Sequence, residues 1–266
     1  MLVSVCIPTY QGAAFLRQAI DSVLGQSLQD FELLVIDDAS TDGTDALLRQ
    51  YSDPRLRYLR NPRNLGPEGN WNRCLDEAQG DYIKLLPQDD VLAPDCLARQ
   101  AAILQSDQDS QLALVFSARS VIDSNDRVLL RRSLRSTDGR LDAQRLRRQC
   151  LRRGTNLVGE PGAVMFRRSL SRRVGPFNGE IGYVIDLDYW FRLLAHGDAY
   201  FMAAPLASFR VSSGSWSVAI GQRQGREFRR FLHKAGAQGI DLAAGTVMAG
   251  VNNLLRMLFY RFSLKA

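Results

Sequence analysis

What most restricts the folding of this chain is a pair of acidic clusters, each closing an apolar run. The first is Phe31-Glu-Leu-Leu-Val-Ile-Asp37-Asp38-Ala-Ser40; the second is Asp81-Tyr-Ile-Lys-Leu-Leu-Pro-Gln88-Asp89-Asp90. Leu33–Ile36 and Tyr82–Leu86 have the length and flanking turn residues of buried strands. In an open α/β sheet the ligand crevice lies beyond the carboxyl ends of the strands. Two acidic groups delivered to that edge predict a site for a metal ion and a polar, phosphate-bearing ligand.

The rest of the first 117 residues alternates in the same way. Strands are predicted at Val3–Ile7, Phe31–Ile36, Leu56–Leu59, Tyr82–Leu86 and Leu112–Phe116. Helices are predicted at Ala13–Leu24, Thr44–Tyr51, Gly69–Ala78 and Pro94–Leu104. Such alternation specifies βαβ units around a mostly parallel central sheet flanked by helices. After Phe116 the pattern changes to a polar hairpin over 118–140, a basic helix over Leu141–Leu151 and a loop over Asn156–Gly162. A helix over Asp186–Leu194 comes next, and the apolar tail Gly239–Ala266 reads as a C-terminal helix. That tail packs on the body, on a dimer partner or on a membrane surface.

At 266 residues the chain buries a sizeable core, as one large domain or a domain with a tail. It opens on a strand without a basic leader, so no secretory signal is expected, and no uninterrupted apolar stretch reaches bilayer length. Cys6, Cys74, Cys96 and Cys150 are scattered without CxxC spacing, which fits buried thiols in a reducing, cytoplasmic compartment. The net charge of +6 gathers in arginines between Arg131 and Arg173 and between Arg223 and Arg230. These form either a solvated surface or an attraction for something anionic, a lipid surface or a diphosphate-linked acceptor. Nucleic acid is not expected, because no recognition motif is present.

Only Gly12 follows Pro8-Thr9-Tyr10, so neither the dinucleotide G-x-G-x-x-G nor a Walker A loop is present. Taken alone, Pro8-Thr9-Tyr10 is a turn. Asp37 and Asp38 serve equally well as a helix cap with a solvated neighbour or as acceptors for a base or ribose. Adjacent Asp89 and Asp90 repel each other unless a proton or cation compensates, and Mg²⁺ or Mn²⁺ with oxygen ligands answers that. Asp95 reads as a first-turn helix acid. Asp186 and Asp188 are either helix N-terminal acids or, near a sugar, general-base candidates.

Taken in order, these segments resemble the family 2 inverting glycosyltransferases of the GT-A fold. The resemblance runs from about Val3 to Ser217. It rests on Val5-Cys-Ile-Pro-Thr-Tyr10, Gln26 to Ser40, Asn64-Leu-Gly66, Gly80-Asp-Tyr-Ile, Gln88-Asp89-Asp90 and Asp186-Leu-Asp188-Tyr-Trp190-Phe-Arg192. It implies a transferase domain over 1–217, with 1–117 holding the nucleotide-sugar and 118–217 the acceptor, and a helical extension over 218–266. It further implies that Pro8, Thr9 and Tyr10 line the base and ribose and that Asp38 bonds the uracil or thymine ring. Asn64, Gly66 and Asn70 would sit near the base and ribose. Gln88, Asp89 and Asp90 would form the diphosphate and metal motif, with Asp90 the first metal ligand. Asp186 would be the catalytic base, and Glu160, Asp188 and Trp190 would meet the acceptor.

Two departures stand out. Many relatives carry Asp where this chain has Pro87, and many carry His where Ser212 stands; His196 and His233 do not replace it. Weaker metal binding is expected on both grounds. Ser215 and Ser217 match a late Ser-containing loop of the family. The implied reaction moves a sugar from a nucleoside diphosphate to a glycan or lipid-linked acceptor, in surface polysaccharide or glycolipid assembly at the inner face of a membrane. A sugar nucleotidyltransferase is disfavoured, because Gln11-Gly-Ala-Ala-Phe lacks the basic Gly-rich loop that enzyme needs. A degenerate domain that only binds nucleotide or carbohydrate is the remaining alternative.

Overall fold

The computed structural model describes residues 1–212, 218 and 220–263. Its strands are β1 (Val3–Thr9), β2 (Phe31–Asp37), β3 (Leu56–Arg60), β4 (Tyr82–Leu85), β5 (Val91–Leu92), β6 (Leu112–Ile122), β7 (Val128–Arg132), β8 (Gly139–Leu141), β9 (Val164–Arg167) and β10 (Asp198–Arg210). They join in one sheet whose main path runs β3-β2-β1-β4-β9-β6-β10-β5, with β7 on β6 and β8 on β10. β1 to β4 are mutually parallel, and β9 enters antiparallel between β4 and β6.

Every residue of β1, β2 and β4 is buried, as parallel strands covered on both faces require. One face is packed by α1 (Leu16–Leu24), α2 (Thr44–Leu48) and α4 (Cys96–Ser106). The other carries α3 (Gly66–Glu77), α5 (Ala143–Arg153), α7 (Ile185–Leu193) and α8 (Gln224–Lys234), around Phe166, Phe177, Tyr189 and Trp190. A short α6 (Arg168–Val174) follows β9, and α9 (Gly239–Ser263) closes the chain. All four cysteines are buried and unpaired.

Four elements depart from the sequence expectation. β6 runs on to Ile122, so residue 117 lies inside a strand and the two halves share one sheet. Its polar members Ser117, Arg119 and Ser120 are buried because β10 pairs along nearly its whole length, which hides the strand from an apolar pattern. β10 itself is interrupted by register shifts around Pro205, where a proline is tolerated inside a sheet. Strand β9 and helix α8 also escaped the pattern, being only four residues long and strongly basic respectively.

The tail helix packs on the body. Its Ala249 is buried against α5 and α8, while Ile240, Val247, Val251, Leu254, Leu255 and Leu258 are exposed. By length and composition alone Gly239–Arg261 is apolar enough to cross a bilayer, with an 18-residue window of mean hydropathy 1.3. No uninterrupted apolar run reaches that length, because Asp241, Asn252, Asn253 and Arg256 break it; the helix qualifies only by its mean composition. Gly154 ends α5 in the left-handed region, at φ +58°. A Cβ there would fall 2.8 Å from the Met248 carbonyl carbon and 2.9 Å from Ala249 Cα. Gly154→Ala should therefore destabilise the protein by at least about 1 kcal/mol, from backbone strain and from pushing α9 away. Thermal unfolding together with limited proteolysis of the tail measures this; an unshifted melting point and an unchanged cleavage rate refute it.

Candidate active site

Register brings the motifs together. Thr9 on β1 lies opposite Asp37 on β2, and Cys6 opposite Leu85 on β4, so three strands discharge their loops at one edge. Asp37 is structural: it is fully buried, accepts from the Ser40 N–H at 3.0 Å and faces the Arg60 guanidinium at 3.6 Å. Asp38 donates its backbone N–H to the Thr9 carbonyl at 2.8 Å. Its carboxylate accepts from Asn61 Nδ2 at 2.6 Å and from the N–H groups of Leu65 and Gly66 at 2.8 and 2.9 Å. Asp38 thus shapes the loop that carries Asn64 and Gly66. Asn64 Oδ1 accepts from Gly66 N–H at 2.8 Å, and Gly66 takes φ +74°, which glycine permits at little cost. Asn70 is turned inward, donating to the Ile36 carbonyl at 3.0 Å and accepting from Asn61. Tyr10 is half exposed at this edge.

Gln88 ties the first strand to the acidic loop. Its Oε1 accepts from Thr9 Oγ1 at 2.5 Å and from the Tyr10 N–H at 2.7 Å, and its Nε2 donates to the Tyr10 carbonyl at 3.1 Å. Gly12 lies so close that any Cβ there would collide with the Thr9 and Gln88 side chains. The other side of the acidic loop is held by Arg210, which is completely buried at the end of β10. Its backbone N–H donates to Asp90 Oδ1 at 2.9 Å and its Nε to the Asp89 carbonyl at 2.8 Å. The rest of the guanidinium reaches the Asp123 carbonyl, Gln18 and Asp126, and it lies over the Phe15 ring at 4.6 Å.

Asp89 faces a cavity of about 180 Å³ whose walls also include Pro87, Asn156, Glu160, Tyr183 and Asp186. Asp90 stands behind it, 1% exposed. Burial first, and then the Asp89 charge, push the Asp90 carboxyl well above the usual range. Two carboxyls so placed form a donor set that a hard cation relieves, so the residues fit Mg²⁺ or Mn²⁺ held jointly with substrate phosphates. Among the described residues there is no cluster of three or more His, Cys, Asp or Glu side chains suited to a metal, so such an ion depends on this pair and the substrate.

Asp186 lies in the first turn of α7. Its Oδ2 accepts from Asn156 Nδ2 at 3.0 Å and its Oδ1 from the Leu187 N–H at 2.7 Å. Desolvation raises its pKa to about 7, with the Leu187 N–H opposing and Glu160 reinforcing the rise. Glu160 behaves in the opposite sense. Burial pushes its carboxyl up, but Arg119 and Arg132 outweigh that and hold it below the ordinary value. Two acids on one wall are thereby driven apart, one ionised and one able to carry a proton near neutrality.

Two acceptor candidates do not reach this cavity. Asp188 is paired with Arg192 and with Lys234, each at 3.1 Å, joining α7 to α8. Trp190 is wholly buried and donates from Nε1 to the Gly159 carbonyl at 3.0 Å, so it supports the Asn156–Glu160 loop from beneath. The i, i+4 spacing of Asp188 and Arg192 is the sequence signal for the structural role of that acid. Conversely, Asn156, Tyr183, Arg256 and Tyr260 line the cavity without having been singled out. Arg256 and Tyr260 come from α9, some 70 residues beyond Asp186 in sequence, and no motif marks them. Ser212 follows β10, while Ser215 and Ser217, with the 217 boundary, lie outside the described residues.

A mixed sheet whose β3-β2-β1-β4 half is parallel, flanked by helices and with acids at the ends of those strands, has the architecture of the GT-A fold. Residues 4–175 match the model described as Glycosyl transferase family 2. The chain belongs to that family. An uncharacterized protein of Mycobacterium tuberculosis is 33% identical over 229 residues, spanning 82% of this chain and 70% of its own. An abequosyltransferase of Salmonella typhimurium is 40% identical over 117 residues, 42% of this chain and 34% of that one. Among solved structures, S. aureus TarS 1-349 in complex with UDP-GlcNAc superposes with a TM-score of 0.73 at 17% identity, covering 96% of this chain and 73% of that one. The mannosyltransferase PcManGT of Pyrobaculum calidifontis, in complex with GDP-Man and Mn²⁺, gives 0.63 at 20% identity, covering 98% and 73%.

Arg210→Ala should lower stability by about 2–4 kcal/mol, because it strands the buried carbonyls of Asp89 and Asp123. Denaturant unfolding provides the measurement, and a midpoint matching wild type refutes the clamp.

Proposed function

We propose that this chain transfers a sugar from a nucleoside diphosphate, UDP- or dTDP-linked, to an acceptor hydroxyl with inversion, in surface polysaccharide or glycolipid assembly. The observation that carries the proposal is the placement of Asp186, with its carboxyl held near neutrality, on the same small cavity as Asp89. A carboxyl with a pKa close to the working pH suits proton abstraction in a transition state. Asp186 takes the acceptor proton on Oδ2 while Asn156 keeps that oxygen oriented. The hydroxyl oxygen attacks the anomeric carbon as the bond to the diphosphate breaks on the opposite face. One displacement inverts the configuration.

Asp89 and Asp90 are the residues that would hold a divalent ion, whose Lewis acidity, when bound, stabilises charge on the leaving diphosphate. Gln88, by fixing Tyr10 and Thr9, sets the edge where base and ribose lie. Asp38, Asn61 and Gly66 preorganise the base-side loop. Asp188 and Trp190 act as positioning residues for α7 and the Asn156 loop. The alternative, a domain that binds nucleotide or carbohydrate without turnover, is left room by Pro87 and Ser212 but opposed by the retention of Asp38, Asp89, Asp90 and Asp186, and donor consumption with Mn²⁺ present separates it from the transferase.

Asp186→Asn should reduce transfer by about 10²–10⁴-fold while nucleotide-sugar binding survives. In the wild type, kcat/KM should fall as pH drops below about 7, as Asp186 gains its proton. A variant that turns over near the wild-type rate, or a profile flat between pH 5 and 8, removes Asp186 as base. Asp90→Ala should abolish the part of donor affinity that depends on Mn²⁺. Thermal protection by a panel of UDP-, dTDP- and GDP-sugars, with and without Mn²⁺, reads this out, since native-state ligands raise the melting point by mass action. Equal protection of variant and wild type overturns it.

A further inference from the structure

Beside the Asp186 cavity lies a second and larger one of about 490 Å³. Both are walled by Arg132, Thr155, Asn156 and Arg256. The second is lined by Arg119, Arg131, Arg132, Arg153 and Arg256, and no carboxylate lines it. Glu160 compensates Arg119 and Arg132. Among the described residues, Arg131, Arg153 and Arg256 form no ion pair with a carboxylate. Arg256 is instead held in place by neutral groups, Tyr183 Oη, Gln224 Oε1 and Thr155 Oγ1. A third depression of about 330 Å³ shares Arg153 and Leu134 with the second, but Asp142 lines it as well as Arg135, Arg140 and Arg145, so the hollow without a carboxylate is the second.

Several guanidiniums around one hollow repel one another, and an anion is what removes that cost. The planar guanidinium fork matches phosphate oxygens in pairs. The donor diphosphate is proposed to lie beside Asp89, which lines the first cavity and not the second. We propose that the second cavity is an acceptor subsite for a phosphate or diphosphate group, so that the sugar is transferred to a phosphate-bearing acceptor. This inference rests on the transferase reading above and names its substrate class. The acceptor hydroxyl enters beside Asp186, and the phosphate lies beyond Asn156 against Arg131, Arg153 and Arg256.

That chemistry has two sources, a diphosphate on a lipid and a phosphate within a water-soluble glycan. The neighbouring surface bears on the choice. Leu255 is part of the cavity wall and also of the exposed stripe Val247, Val251, Leu254, Leu255 and Leu258 along α9. A lipid tail leaving the cavity meets that stripe directly.

Calorimetric titration of the full chain tests the subsite, with inorganic pyrophosphate in the presence and absence of UDP. Pyrophosphate is expected to bind the UDP-saturated wild type, and Arg131→Gln with Arg153→Gln is expected to weaken that binding at least about tenfold; both residues are exposed, so the fold tolerates the change. Equal affinity in wild type and double variant, or no pyrophosphate binding in either condition, overturns the subsite. Geranylgeranyl diphosphate in phosphatidylcholine vesicles provides the second arm. Binding tighter than pyrophosphate assigns the lipid source, and equal binding assigns the soluble one. The titration without UDP needs no donor, so failure of UDP to bind while the variant still loses pyrophosphate would count against the transferase reading alone.

Discussion

The arrangement depends on one buried cation. Arg210 ends a long strand that sequence pattern does not announce, and it holds the acidic loop from two directions, through its backbone N–H on Asp90 and its Nε on the Asp89 carbonyl. A desolvated guanidinium is costly unless each N–H finds an acceptor. Here the carbonyls of Asp89 and Asp123, with Gln18 and Asp126, supply them. The reward is positional: two neighbouring carboxyls that repel each other are kept at the mouth of the sheet. Gln88 does the same work from the β1 side, so the loop is fastened at both edges.

With that loop fixed, the electrostatics of the cavity arise from unequal compensation. Glu160 has two arginines and stays ionised. Asp186 has an amide, a backbone N–H and an acid nearby, and desolvation lifts it toward neutrality. The residues are of one chemical type, and their surroundings alone separate their roles. Asp188, two positions from Asp186, shows the same rule in reverse, because helical geometry turns it toward Arg192 and Lys234.

The tail helix is part of the site as well as a covering for it. Arg256 and Tyr260 reach the cavity from α9, and Gly154 lets the helix approach α5 closely enough for them to do so. Its inner face is consumed by packing on α5 and α8, and its outer apolar stripe is left toward solvent beside the arginine-lined hollow.

Strand and helix alternation through residue 117, and the acidic endings of β2 and β4, were legible because they are local: a strand buried on both faces must be apolar, and the residues just after it must turn. Family membership was legible for the same reason, since the motifs sit in order at those turns. The course of β10, the entry of β9 between β4 and β6, and the arrival of Arg256 depend on contacts between segments distant in sequence, and polar residues satisfied by such contacts leave no periodic signature. Sequence determined which carboxylates stand at strand ends. Tertiary packing decided which of them are ionised, which are tied into ion pairs and which face the cavity, because desolvation and charge pairing exist only once the chain has closed around them.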